Sequence, residues 1–301
     1  MSSKSQGLTR ESFTHLMRGA LATLAVLVVA RLVLEVAGVP QDIARFVSAT
    51  VGLFLVAIYV AAVGPLRGGL HKFSQLLLPA FILAAWMEAW VILATIVAAV
   101  LRLTRSHFAQ KEDYGNWSHL GWHVFEHVLA IGVLFVIVLL LMAVVHILWR
   151  WPVTVAPGAM LGVFVIMRFF TEALGLGPLR TAAWSSTTLV LLSGFYLGGV
   201  GAWVGLREAR QLLVPSLVLG WVWRFWVYLA AVFAAVLPFF KTHFFDPSRG
   251  DIPRRLLGAL AGNVVEGFLA GLVLWGIAAW IACATQTEST TSPPDAEGPQ
   301  N

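Results

Sequence analysis

The sequence has few charged residues. Lys, Arg, Asp and Glu make up 12% of its 301 residues, whereas an ordinary soluble domain has about 25%. Hydrophobic residues make up 59%, and the mean hydropathy is +0.83. These values exclude an ordinary soluble globule. They predict an all-α polytopic transmembrane protein, because the sequence also lacks the alternating pattern of membrane barrel strands.

Cysteine is almost absent, since Cys283 is the only one. A single cysteine forms no internal disulfide and no cysteine-based metal cluster. The net charge of +5 and the pI of 9.8 are basic, but the basic residues lie in short segments beside apolar runs and form no nucleic-acid motif. We therefore expect membrane lipids as partners and no nucleic acid.

Eight apolar segments are long enough to cross a bilayer core of about 30 Å, which takes about 20 helical residues. They are residues 14–37, 44–64, 73–101, 121–149, 153–175, 182–204, 209–240 and 256–284. A polar segment, 1–13, precedes them, and the tail 285–301 has the composition of a disordered segment. Lys4, Arg10 and Arg18 favour a cytoplasmic N-terminus for this multi-pass protein of the cell or plasma membrane.

Two similar stretches, 137 positions apart, organise the chain. The stretch from Arg31 to Gly38 reads RLVLEVAG, and the stretch from Arg168 to Gly175 reads RFFTEALG. Later matches include His107-Phe108 with His243-Phe244. This spacing predicts two four-helix repeats, at 14–149 and 150–284. Because four helices return the chain to its starting side, we expect the two repeats to have parallel orientations in the membrane.

Each repeated stretch carries a polar group near the end of its first helix. An Arg and a Glu four residues apart lie on one helix face, and two hydroxyl residues open the next helix. The members are Arg31, Glu35, Ser48 and Thr50 in the first repeat, and Arg168, Glu172, Ser185 and Thr187 in the second. Two interpretations remain open: a pocket for an anion or lipid headgroup, and a structural pair that fixes the following turn.

Glu88 and Arg224 occupy matching positions in the third helix of each repeat. Their opposite charges predict a buried salt bridge that holds the repeats together. In the alternative interpretation, Glu88 carries a proton and Arg224 is its counter-charge. Among the charges that we place inside the membrane, away from the helix ends, Glu outnumbers Arg by two. At least one Glu therefore lacks an Arg partner, and this surplus favours transport. The surplus comes from counting Glu35, Glu88, Glu126, Glu172 and Glu266 against Arg31, Arg168 and Arg224.

Three histidines recur every four residues at the start of the fourth helix. They are His119, His123 and His127, and the last two fit the H-x-x-E-H spacing of some zinc peptidases. A third metal ligand is not evident in the sequence, and the matching positions of the second repeat are Arg255, Ala259 and Asn263. We therefore expect the stripe to be free of metal, and we expect no cofactor.

These features favour a transporter or permease-like protein, with a charged intramembrane cavity between the two repeats and a small solute or ion as its substrate. A membrane-embedded enzyme that acts at the membrane surface, with or without a metal at the histidine stripe, is an alternative, although no nucleophile motif is present. A third hypothesis is a non-catalytic membrane subunit or assembly factor, with an oligomer or partner subunit. No ATP-binding motif is present, so transport would use an ion gradient or a partner ATPase.

Overall fold

The computed structural model describes residues 10–176, 181, 183–206, 208–236, 242–246, 248 and 250–289. It divides into two compact units, Met1–Ile147 and Leu148–Asn301. Every regular element in the described part of the chain is helical, which confirms the all-α prediction. The N-terminal residues 1–9, and residues 290–301 of the predicted tail, lie outside the described part.

Unit 1 contains four long helices. They are α1 (Arg10–Val36), α2 (Ala49–Arg67), α3 (Leu77–Val100) and α4 (Trp117–Ile147). Helix α1 packs against α2 and α3, while α4 packs against α2 and α3. The apolar side chains of Leu24 and Val28 are fully buried in this packing.

Unit 2 contains four further long helices. They are α5 (Val155–Ala173), α6 (Ser186–Trp203), α7 (Ala209–Val236) and α8 (Ile252–Ser289). The indole of Trp226 is almost fully buried and donates a hydrogen bond to the Gly158 carbonyl at 3.2 Å, which joins α7 to α5. Helix α8 packs closely on α7 and also contacts α6.

Seven helices in the described residues are long and apolar enough to cross a membrane, which indicates a multi-pass membrane protein. The sequence predicted eight. Helix α6 is the difference, because its apolar part, Ser186–Gly201, is short for a bilayer core of about 30 Å. The eight-helix arrangement and the duplication therefore remain predictions.

Several predicted helix ends also differ from the structure. Helix α1 begins at Arg10, inside the predicted polar segment 1–13, and helix α2 begins at Ala49 rather than at residue 44. Helix α4 begins at Trp117 rather than at residue 121, so all three histidines of the stripe lie within it. Helix α8 continues to Ser289, past the predicted end at residue 284. Apolar periodicity marks the buried part of a helix well, but it does not detect a polar turn added at either end.

The connection between α3 and α4, residues 101–116, is folded against the helices of unit 1. We call it loop 1. Its Phe108 and Ala109 are buried in a cluster with Val28, Ala98 and Leu120. Burial of apolar side chains holds loop 1 against the ends of α1, α3 and α4, and this places the polar residues of loop 1 beside those of the helices.

The two repeated glycines end α1 and α5 in the same way. Gly38 and Gly175 both have positive φ, 86° and 76°. The N–H of Gly38 donates to the Glu35 carbonyl at 3.0 Å, and that of Gly175 donates to the Glu172 carbonyl at 2.8 Å. This is the hydrogen-bond pattern of a Schellman C-cap, which favours glycine because other residues are strained at positive φ.

Candidate functional site: carboxylate and histidine contacts

The Glu35 carboxylate is fully buried and binds three groups of unit 1. It accepts a hydrogen bond from Arg31 Nε at 3.2 Å. It also accepts two from His107 in loop 1, one from the backbone N–H at 3.0 Å and one from Nδ1 at 2.7 Å. The predicted contact between Arg31 and Glu35 is confirmed. We call this group of three residues the unit 1 clamp, because it ties loop 1 to the end of α1.

Unit 2 contains the same set of contacts. Glu172 accepts from Arg168 Nε at 3.0 Å, from the His243 backbone N–H at 2.9 Å and from His243 Nδ1 at 2.5 Å. The predicted contact between Arg168 and Glu172 is confirmed. This unit 2 clamp is more open, because 12% of the Glu172 side chain is exposed and none of the Glu35 side chain is.

Both clamp histidines were missing from the predicted site residues. His107 lies 72 positions from Glu35, and His243 lies 71 positions from Glu172. The signal that could have found them is the later match of His107-Phe108 with His243-Phe244. A histidine that recurs at a matching position is a candidate partner for the Glu that recurs in the same way.

The electrostatic surroundings of His107 favour its neutral form. Desolvation lowers the pKa of His107, and the nearby charge of Arg31 lowers it further. The hydrogen bond to Glu35 acts in the opposite direction, but the net pKa remains below the usual value. A neutral imidazole with its proton on Nδ1 donates to Glu35 and leaves Nε2 as an acceptor.

The predicted hydroxyl residues lie at the starts of α2 and α6. Ser48 accepts a hydrogen bond from the Val51 N–H at 3.3 Å, and Ser185 accepts one from the Thr188 N–H at 3.5 Å. These are helix N-cap contacts, which satisfy backbone donors at a helix start. Thr50 is half-buried and Thr187 is exposed. An anion or headgroup site at these hydroxyls remains a prediction.

Each of the three histidines in the stripe on α4 contacts a carboxylate through its Nδ1 atom. His119 contacts Asp113 at 2.7 Å, and His123 contacts the other oxygen of Asp113 at 2.9 Å. His127 contacts Glu88 on α3 at 2.9 Å. The rings of His123 and His127 stack with their centroids 5.3 Å apart. We call these five residues the histidine–carboxylate network.

Asp113 was not among the predicted site residues, although it joins His119 to His123 in this network. Burial raises the pKa of Asp113, but hydrogen bonds from His119, the Gln110 N–H and His123 outweigh that effect and lower it. Its carboxylate is therefore ionised and accepts from both imidazoles. Loop 1 places it there, and the path of such a loop cannot be read from helical periodicity.

The network bears on the predicted absence of a metal. Among the residues that the structure describes, no group of three or more His, Cys, Asp or Glu side chains is arranged to hold a metal ion. The Glu of the H-x-x-E-H spacing, Glu126, is exposed, whereas His123 and His127 are partly buried. The absence of a metal in the protein remains a prediction.

Arg224 pairs with Glu266 within unit 2. The guanidinium also lies over the Trp223 ring, 5.1 Å from its centroid. Within the described residues, the buried Arg224 Nε and the buried Asn263 Oδ1 have no hydrogen-bond partner. Under the predicted duplication, Asn263 matches His127 and Arg224 matches Glu88. Unit 2 would then have neither the carboxylate nor the imidazole of the Glu88–His127 pair.

Glu88 and Arg224 therefore each have a partner in their own unit. The predicted salt bridge between the two, and the predicted cavity between the repeats, remain predictions. The surplus of Glu over Arg is explained in part by histidine, since His107, His127 and His243 each bond one of the helical carboxylates.

Comparison of the chain with protein-family models, with curated proteins and with solved structures found no match.

Proposed function

We propose that the protein is a proton-coupled membrane transporter in which the histidine–carboxylate network of unit 1 takes up the proton. The main support is the position of Glu88, which is 4% exposed and bonded to His127. Twelve residues separate Glu88 from the end of α3 at Val100, which is about 18 Å of helix. An ionisable group at that depth in a membrane-spanning helix typically marks an ion or proton pathway.

The network connects this buried carboxylate to the surface. His119 is its outer member, with 37% of the side chain exposed. From there the contacts run through Asp113 and His123 to the stacked ring of His127, and then to Glu88. Histidine gains and loses protons near neutral pH, which suits it to pass a proton between such carboxylates. Transfer between the two stacked rings needs a ring rotation or a bridging water.

The residues at the matching positions of unit 2 support the assignment of proton uptake to unit 1. The position that matches Glu88 is Arg224, whose guanidinium stays protonated at all physiological pH values. The positions that match His119, His123 and His127 hold Arg, Ala and Asn. At these matching positions unit 2 carries a fixed charge, while unit 1 carries groups that can titrate. A purely structural pair of repeats has no need for this difference.

The test is proton uptake into proteoliposomes that contain a pH-sensitive dye. Inward proton movement is measured after a potassium diffusion potential is applied, with pools of small organic acids, amino acids, sugars and inorganic ions added outside. We expect solute-dependent acidification with the unaltered protein, and its loss in Glu88→Gln and His127→Asn. The matched control is Glu112→Gln, which removes an exposed carboxylate next to Asp113.

Loss of acidification in the two network variants, with the Glu112 variant active, would support the proposal. Acidification that is equal in Glu88→Gln and the unaltered protein would reject it, because Gln has a similar shape but cannot carry a proton. Solute uptake that proceeds without any proton movement would support a transporter of another kind and reject the proton coupling.

A further inference from the structure

Unit 1 has a cavity on the side of the molecule away from loop 1. Its volume is about 520 Å³, and it lies between α1 and α2, within the range of about 300–1,000 Å³ that is usual for small-molecule sites. The residues lining it are His15, Leu16, Gly19, Ala20, Thr23, Val56, Tyr59 and Arg67. None of these belongs to the histidine–carboxylate network or to either clamp.

The shape of the cavity follows from small residues on α1. Gly19 has no atom within 4 Å of the position that a Cβ would occupy, so the wall is open there. At the outer end, Leu16 packs so closely on Gly68 that a Cβ on Gly68 would lie 2.6 Å from it. Helix α1 therefore meets the C-cap of α2 at Leu16 and Gly68, and space remains beside Gly19.

The polar groups of the cavity are at two depths. His15 and Arg67 lie at the outer end, where α1 begins and α2 ends, and Thr23 and Tyr59 lie eight residues further in on each helix. Eight helical residues span about 12 Å. Arg67 is in the last turn of α2, where the helix dipole favours a cation. Leu16 and Ala20 lie between the two levels on α1, and Val56 lies three residues beyond Tyr59 on α2. These three residues form the apolar wall of the cavity.

We propose that this cavity binds one anionic phospholipid, with the phosphate on Arg67 and His15. Arginine binds phosphate oxygens in a bidentate manner, and the end of a membrane-spanning helix lies at the depth of lipid phosphates. The upper part of an acyl chain lies along Leu16, Ala20 and Val56. The Tyr59 ring lies beside the acyl chain further in, about 12 Å from the level of Arg67. The site does not depend on proton coupling.

The experiment is native mass spectrometry of delipidated protein titrated with phosphatidylglycerol or phosphatidylcholine. We expect the unaltered protein to prefer phosphatidylglycerol, and Arg67→Gln to lose about fivefold of that preference. Gly19→Leu places a side chain in the open space and should weaken the binding of both lipids. The two variants act on different parts of the site, the charge and the volume.

Two matched controls separate this site from general effects. Arg150→Gln removes an exposed cation outside the cavity, and Gly132→Leu adds the same side chain at an exposed glycine of α4 that also has no atom within 4 Å. The proposal is supported if both controls bind as the unaltered protein does. It is overturned if Arg67→Gln keeps the full preference, or if Gly132→Leu weakens binding as much as Gly19→Leu.

Discussion

Glu35 receives two hydrogen bonds from one residue, His107, through the backbone N–H and the Nδ1 atom. This double contact fixes both the path of loop 1 and the orientation of its imidazole. A side-chain bond alone would allow the backbone to move, and a backbone bond alone would leave the ring free to rotate. Since Arg31 occupies the other side of the carboxylate, Glu35 links α1 to loop 1 with its charge balanced.

The first prediction compares the two clamps. Glu35→Gln should destabilise the protein more than Glu172→Gln, because Glu35 is fully buried and Glu172 is 12% exposed. Removing one partner of a buried ion pair commonly costs about 3–5 kcal/mol, and we expect about half of that for Glu172. Thermal unfolding midpoints in detergent measure the difference. Equal midpoints for the two variants would contradict the role assigned to burial.

These contacts show which parts of the site were accessible from the sequence. Arg31 and Glu35 are four residues apart in one helix, so helical geometry alone predicts their contact. His107 reaches Glu35 through the fold of loop 1, and no local periodicity describes that path. The same reason hides Asp113. Glu88 was identified from its charge within an apolar run, but its partner His127 lies on another helix, and the sequence favoured Arg224 instead.

The fold was also predictable from the sequence only in part. Apolar length predicts each long helix, because the bilayer requires about 20 residues. It overestimates α6, whose described helix begins at Ser186, after a turn in which the Trp184 N–H donates to the Thr181 carbonyl. Ser185 is an N-cap residue, so the capping preference of serine could have placed that start. The hydropathy of the preceding residues extended the predicted span instead.

The second prediction concerns the dependence of stability on pH. The pKa of Asp113 is lowered in the folded protein, so its contribution to stability is complete above the unfolded value of about 3.9 and is lost as the pH falls through the lower folded value. Asp113→Asn should therefore be destabilised at pH 7 by about 1.5–3 kcal/mol, the usual contribution of a hydrogen bond to a charged group. The difference from the unaltered protein should shrink as the pH falls below 4. A difference that is constant from pH 7 to pH 3 would show that the charge of Asp113 has no stabilising role.

The third prediction concerns metal at the histidine stripe. Among the described residues, no three His, Cys, Asp or Glu side chains are arranged to hold a metal ion. We therefore expect purified protein to contain far less than one zinc per chain by elemental mass spectrometry. Zinc at one per chain that is lost in the His123→Ala/His127→Ala variant would contradict this. It would also favour the membrane enzyme over the transporter.

The fourth prediction concerns the contact between α7 and α8. A Cβ on Gly220 would lie 2.3 Å from the Gly267 carbonyl oxygen and 2.5 Å from the Gly271 nitrogen, both of which are backbone atoms. Gly220→Ala should therefore force the helices apart and lower stability by about 1–3 kcal/mol or more. The control is Gly262→Ala on α8, where nothing lies within 4 Å. It should be neutral, or more stable by up to about 1 kcal/mol, because alanine is the better helix former. Equal thermal midpoints for the two variants would contradict the close packing.

The fifth prediction concerns Glu88 and separates a structural role from a transport role. Gln at position 88 can still accept the hydrogen bond of His127, so Glu88→Gln should fold, with a loss of about 1–2 kcal/mol. A double-mutant cycle with His127→Asn should give a coupling of about 0.5–3 kcal/mol, the usual range for residues in contact. The same cycle between Glu88 and Arg224 measures the salt bridge that the sequence favours. A coupling energy of zero within experimental error would show that these two residues do not form it.

Activity then decides between the two roles of Glu88. If its charge only balances Arg224, the Glu88→Gln/Arg224→Gln variant should recover stability and proton-dependent uptake relative to either single variant, since no lone charge remains buried. If Glu88 carries the proton, Glu88→Gln should be folded but inactive, and the double variant should be inactive as well, because restoring charge balance does not restore a group that titrates. Measurement of thermal midpoint and dye-detected proton uptake on the same four preparations separates loss of fold from loss of the proton site.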